Sequence, residues 1–114
     1  MRTVCFRGRN IENNEWVYGS LVIGKNDTFY IIQDGETIQV IEDTIGQLVG
    51  KPDKKGREIF EGDKVYFDSE DDDATIIWDN DACGFVALFA DDTILLLEEA
   101  TSSDMELVGG KYEA

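Results

Sequence analysis

The segment TFYIIQDGETIQV, residues 28–40, decides the fold class of this chain. Its Asp34-Gly35 pair predicts a two-residue hairpin turn, because such turns need positive φ angles and glycine adopts them without strain. The residues before the turn are aromatic and β-branched, as in strands. After the turn, Ile38 and Val40 alternate with polar residues, which predicts a strand with one buried and one solvated face.

Outward from this hairpin the pattern repeats in both directions. Turn signals recur about every 8 to 12 residues, a spacing that predicts nine or ten short strands. The predicted strand segments are 4–8, 16–23, 28–32, 36–42, 46–50, 64–67, 75–78, 84–89, 93–97 and 106–108. Residues 98–103 fit either a short helical turn or a loop.

These segments predict an all-β fold with little helix. We expect a small barrel-like antiparallel architecture, SH3-like or related, with two β subdomains as the alternative. The 114 residues fit a single domain over 1–114, and any subdivision is expected near residues 50–53, where the charge balance also changes.

The negative charge is concentrated in the second half of the chain. Residues 1–64 hold 11 acids and 9 bases, a net of −2, whereas residues 65–114 hold 14 acids and 1 base, a net of −13. Such a charge repels nucleic-acid phosphates, so direct DNA or RNA binding is not expected. It suits a basic surface on a partner protein.

The composition excludes several classes of chemistry. The chain has no histidine, which removes His-based triads, ligands and proton shuttles, and its two cysteines support neither a disulfide framework nor a zinc site. An enzyme would have to use carboxylates or a thiol. No segment approaches the roughly 20 apolar residues of a membrane helix, and the N-terminus lacks a secretory h-region. We therefore expect a cytoplasmic protein without membrane contact.

Two charged segments are candidate sites. The run of acids at residues 68–73 offers oxygen ligands for a cation such as Ca²⁺, but no glycine shapes it into a ligand cage, which favours a solvated loop. Residues 79–81 resemble the start of an EF-hand loop, yet Ala90 stands where that loop needs glutamate. The basic cluster near Gly56 lacks the spacing of a phosphate loop.

From these observations we predict partner-binding residues and no catalytic, cofactor or metal site. The predicted residues come from the acidic run and the basic cluster: Asp71, Asp72, Asp73, Lys54, Lys55 and Arg57.

Three segments together resemble the YopX family of small phage and prophage proteins. FRGR at 6–9 followed by NEWVYGSL at 14–21 resembles the opening of that family. TIGQLVGKPDKKGREIFEGDKV at 44–65 resembles its central signature, and ELVGGKYE at 106–113 resembles its last strand. The chain departs from the signature at Leu48, Val49 and the Lys51-Pro52 pair. The resemblance therefore assigns no role to the Lys51-Pro52 turn.

The resemblance implies an all-β, barrel-like fold and a phage or prophage origin, with no established activity or catalytic residues to transfer. We read the signature itself as fold-forming, since Gly56 and Gly62 suit tight turns and Asp63 can accept hydrogen bonds from neighbouring backbone.

Four functions stay open at this point. The first is a non-catalytic protein-binding module, encoded by a phage or prophage and located in the cytoplasm of the bacterial host. The second is an acidic mimic of nucleic acid that occupies a basic groove on a host DNA- or RNA-binding protein. The third is a self-assembling homo-oligomer, in which the basic cluster of one copy meets the acidic half of the next. The fourth is an enzyme based on carboxylates or a thiol.

Overall fold

A computed structural model describes residues 5–110 and contains ten strands in two antiparallel sheets of five. It confirms the all-β prediction, and its helical content is limited to single 3₁₀ turns at 25–27, 42–44, 97–99 and 102–104. The strands are β1 (Phe6–Arg9), β2 (Trp16–Ile23), β3 (Phe29–Gln33), β4 (Glu36–Val40), β5 (Gly46–Gln47), β6 (Asp63–Phe67), β7 (Asp72–Asp79), β8 (Gly84–Leu88), β9 (Ile94–Leu96) and β10 (Met105–Gly110).

The chain divides into two compact units, the first ending at Leu48 and the second beginning at Val49. Each unit contains one of the sheets. Neither sheet closes into a barrel, so the barrel-like expectation holds only as far as the strand content and antiparallel pairing. Among residues 5–110 we find no helix that is both long and apolar enough to cross a membrane.

The first unit is built on the predicted hairpin. Asp34 and Gly35 both have positive φ, 50° and 83°, as a type I′ turn requires, and β3 and β4 pair across them. The sheet order is β4-β3-β2-β1-β5. Val17, Ile31 and Val40 form its buried core, which confirms the predicted inward face of β4.

A close backbone approach in the first unit requires glycine. A Cβ atom on Gly19 would lie 1.9 Å from the carbonyl oxygen of Ile32, so no side chain fits where β2 passes from pairing with β1 to pairing with β3. Near this unit's other end, a single bridge between Asn10 and Val40 brings the last residue of β4 to the end of β1.

The second unit has the strand order β10-β6-β7-β8-β9. Its core is larger than that of the first unit and includes Phe67, Ile76 and Met105, all fully buried. The predicted turns of the central signature are present. Gly62 has a φ of 96°, and the Asp63 carboxylate accepts a hydrogen bond of 2.8 Å from the N–H of Phe60.

Three loops of the second unit lie at the same end of its sheet, because neighbouring strands run in opposite directions. The β6–β7 turn at 68–71, the β8–β9 turn at 89–93 and the segment 101–104 before β10 all meet at one end of the sheet, because each pair of neighbouring strands is antiparallel. The candidate site lies at this end of the sheet.

Candidate protein-binding surface

Eight carboxylates lie at one end of the second sheet, on three loops and on the first two residues of β7, and we call this group the acidic end. Its members are Asp68, Glu70, Asp71, Asp72, Asp73, Asp91, Asp92 and Asp104. The prediction from the sequence included three of these residues, at 71–73. Asp72 and Asp73 lie at the start of β7 and not in the preceding loop, so β7 begins earlier than the predicted segment 75–78.

Hydrogen bonds within the unit fix several of these carboxylates. The backbone N–H and the hydroxyl of Ser69 donate to the two carboxylate oxygens of Asp104, at 2.8 and 2.6 Å. Thr93 donates its N–H and hydroxyl to Asp91, and the hydroxyl of Tyr66 donates to Asp71. The negative charge is therefore held at defined positions on the loops.

Local hydrogen bonds shift the pKa of one carboxyl group of the acidic end and of the neighbouring Tyr66. The hydrogen bond to Asp71 raises the pKa of Tyr66 to about 12, and burial and the nearby charges of Asp68 and Asp72 act in the same direction. Hydrogen bonds from Thr93 lower the pKa of Asp91, which keeps that carboxylate ionised. The acidic end is thus negatively charged at neutral pH.

A shallow, open depression lies beside the acidic end. Its lining includes the side chains of Lys64, Asp73, Thr75, Leu88 and Asp92. The depression spans residues of β6, β7 and the β8–β9 turn, and it adjoins the acidic end through Asp73 and Asp92.

The carboxylates of the acidic end do not converge on a point. Within the described range 5–110, no three side chains of the histidine, cysteine, aspartate or glutamate type are grouped so that they could hold a metal ion. The EF-hand-like residues at 79–81 form an ordinary turn instead, in which Asp79 accepts a hydrogen bond from the N–H of Asp81.

The predicted basic residues are engaged within the fold. Lys54 forms an ion pair of 2.8 Å with Asp68, which raises the pKa of Lys54, and Lys55 lies 3.2 Å from the Glu106 carboxylate. Arg57 donates a 2.8 Å hydrogen bond to the carbonyl of Leu107. The structure therefore brings Lys54 to the acidic end, whereas Lys55 and Arg57 lie along β10.

Asp53 organises the turn at residues 53–57, which we call the basic turn. The sequence did not predict a role for Asp53. Its side chain is fully buried and accepts hydrogen bonds from the N–H groups of Lys55, Arg57 and Leu107, together with the Arg57 guanidinium. Burial alone raises the pKa of Asp53, but the hydrogen bonds from Leu107, Arg57 and Lys55 outweigh it and lower the pKa to about 2. The carboxylate thus joins the turn to β10.

Lys51, to which the family resemblance assigns no role, bonds within the fold. Its Nζ atom donates to the backbone carbonyls of Leu97, Glu98 and Ala100, at 2.8, 3.3 and 2.5 Å. These carbonyls belong to the 3₁₀ turn after β9 and to its end, where a cation is favourable.

Fold and surface together define a small all-β protein with an acidic second unit. The second unit, residues 49–114, contains 18 acids and 6 bases, a net of −12. The sequence model of the YopX protein family matches residues 5–114, so the chain belongs to the YopX family. A search of the curated proteins finds no match to this chain.

Sequence signals existed for part of what was missed. Asp53 precedes Gly56 by three residues, a spacing typical of a side-chain-stabilised turn, but its bond to Leu107 spans 54 residues. The predicted strand segments 84–89 and 93–97 leave Asp91 and Asp92 in the turn between them, where the structure places both residues. Only the order of the strands shows that this turn and Asp104 lie beside residues 68–73.

Proposed function

We propose that this protein acts by binding another protein, through the acidic end of its second unit. The observation that carries the proposal is the arrangement of eight carboxylates, on three loops and the start of β7, at one end of a single sheet, several of them fixed by hydrogen bonds. A preorganised field of one sign attracts a partner surface of the opposite sign and orients it.

The neighbouring cations leave most of this charge uncompensated. Lys54 pairs with Asp68, while the ion pairs of Lys55 and Arg57 go to Glu106 and Asp53. A basic partner surface would therefore supply the balance of the charge. Head-to-tail self-assembly through the basic turn has less support, since the three cations of that turn already have acidic neighbours in their own chain.

The proposal can be tested by capture from a nuclease-treated bacterial lysate. The tagged protein is compared with a variant in which Asp71, Asp72 and Asp73 are all replaced by asparagine. Asparagine keeps an acceptor oxygen for the local hydrogen bonds and removes only the charge. We expect the variant to lose at least about tenfold of the captured partner, and capture to fall as salt screens the charge.

The matched control neutralises three acids of the first unit, Glu36→Gln, Glu42→Gln and Asp43→Asn. All three residues are exposed, and the net charge changes by the same amount. Capture that depends on the triple substitution at 71–73 and not on this control supports the proposal. Equal capture by both variants and the parent contradicts it.

A narrower form of the proposal is mimicry of nucleic acid. The net charge of −12 in the second unit and the spread of its acids over several loops fit a basic groove that otherwise holds a phosphate backbone. In that case, added double-stranded DNA should release the captured partner. If DNA fails to compete at concentrations where the partner binds it, mimicry is excluded and simple protein binding remains.

A further inference from the structure

The strand β9 forms one edge of the second sheet. The N–H of Phe89 donates to the carbonyl of Thr93, which makes these two residues a hydrogen-bonded pair. The next pair along the two strands is Leu88 opposite Ile94. Because hydrogen-bonded and non-hydrogen-bonded pairs alternate in an antiparallel ladder, Leu95 directs its backbone groups to β8. The N–H and C=O groups of Ile94 and Leu96 therefore point away from the sheet.

The opposite edge, β10, is closed by the chain itself. The carbonyl of Met105 accepts from the N–H of Lys54, the N–H of Leu107 donates to Asp53, and the carbonyl of Leu107 accepts from Arg57. The turn at 53–57 thus bonds to the outward backbone groups of Met105 and Leu107 on β10. On β9 the residues with outward backbone groups are Ile94 and Leu96.

The side chains of β9 are apolar and partly accessible. The strand reads Ile-Leu-Leu, and Ile94 is 50% exposed. An apolar edge strand with outward backbone groups is a template for pairing with another strand.

Carboxylates flank this template on both sides. Asp91 and Asp92 precede β9, Glu98 and Glu99 follow it, and all four residues are exposed. A second copy of this chain paired antiparallel along β9 would place the acids before one strand opposite the acids after the other. Like charges facing each other across strands are destabilising, so self-pairing is disfavoured.

We propose that β9 accepts an extended segment of the basic partner as an added sixth strand of the second sheet. The segment carries small or β-branched apolar residues at its centre, against Ile94 and Leu96, and lysine or arginine at both ends, against the flanking acids. This inference rests on the proposed function and names the mode of binding: backbone hydrogen bonds supply affinity, and the flanking charges select basic segments.

The test uses a synthetic peptide with an alternating valine and threonine centre and a pair of lysines at each end. We expect it to bind the full chain at low salt, as followed by calorimetry. An analogue N-methylated at the central amides cannot donate hydrogen bonds and should bind at least about tenfold more weakly. A peptide with glutamates in place of the lysines should not bind.

Two substitutions at one residue isolate the backbone contribution. Leu96 has a φ of −66°, which matches proline, so Leu96→Pro removes the outward N–H without straining the strand. Leu96→Ala removes the side chain and keeps the N–H. We expect at least about tenfold weaker peptide binding for Leu96→Pro and a change of less than about threefold for Leu96→Ala, with circular dichroism confirming that both fold.

Each outcome decides the inference. Equal binding to both Leu96 variants, or to the N-methylated peptide, overturns strand addition, as does an absence of peptide binding at low salt. Strong binding of the glutamate peptide overturns the proposed partner chemistry. The proposed function fails separately, if the substitutions at 71–73 leave capture from the lysate unchanged. Capture that depends on residues 71–73, together with equal peptide binding by the two Leu96 variants, would indicate a partner held by the acidic end without β9.

Discussion

The two edges of the second sheet are treated in opposite ways. The β10 edge is bonded to the turn at 53–57 through the buried Asp53 carboxylate, Arg57 and the backbone of Lys54. The β9 edge has outward backbone groups and acidic flanks. The basic turn, which the sequence predicts as a binding site, thus closes one edge of the sheet, and we propose the other edge and the acidic end as the binding surface.

The largest expected effect comes from breaking the closed edge. Asp53→Ala removes a buried acceptor of several part-buried donors, while the 43% exposed Arg57 guanidinium stays hydrated. A buried donor left without an acceptor costs roughly 1–3 kcal/mol, so we expect a loss of about 3 kcal/mol in the free energy of unfolding, measured by urea denaturation.

The matched control for this substitution is Asp91→Ala at the acidic end. Asp91 is exposed and bonds only locally to Thr93, so we expect a loss below about 1 kcal/mol. Similar losses for the two variants would contradict the difference between the edges.

The closed edge should also weaken in acid. The pKa of Asp53 falls from 3.8 to about 2 on folding, so the group contributes stability that is fully present above pH 4 and is lost as the pH falls through 2. The shift corresponds to about 2 kcal/mol. We expect the parent to lose about this much more than Asp53→Asn between pH 4 and 2, by urea denaturation at each pH. Parallel pH profiles would exclude the low pKa.

A smaller effect is expected beside β9. Lys51→Met removes the cation that bonds three backbone carbonyls near Leu97 and Ala100. These carbonyls lie partly exposed to water, so we expect a loss of about 1–2 kcal/mol in the free energy of unfolding. Thermal denaturation would measure it, and an unchanged midpoint would show that Lys51 makes no contribution to the turn after β9.

The smallest effect is expected for Lys55, whose side chain is 61% exposed. Exposed ion pairs contribute little, so Lys55→Met should change the free energy of unfolding by less than about 0.5 kcal/mol. It should also leave partner capture from the lysate unchanged. A strong loss of capture in this variant would return the basic turn to the binding surface and weaken the contrast between the edges.

Much of the fold was accessible from local sequence. The Asp34-Gly35 turn, the strand at 16–23 and the glycine turns at 56 and 62 follow from residues within a few positions of one another. Such features are set by backbone preferences of single residues and by alternation of apolar side chains.

Less of the candidate site was accessible, because it depends on contacts between distant segments. The start of β7 at Asp72 is set by pairing of Phe67 with an acidic residue that has low strand preference. The use of Lys54 and Arg57 within the fold depends on Asp68, Asp53 and Leu107, whose proximity only the sheet order reveals. The same order gathers the acidic end from three loops.

The most direct test is residue-resolved hydrogen exchange of the full chain, without and with the lysine-flanked peptide. We expect fast exchange at the outward amides of Ile94 and Leu96 in the free protein and slow exchange at Leu107, whose N–H is bonded to Asp53. With the peptide, Ile94 and Leu96 should become protected while Leu107 is unchanged. Slow exchange at Ile94 and Leu96 in the free protein, or peptide protection confined to other residues, would contradict an open β9 edge that accepts an added strand.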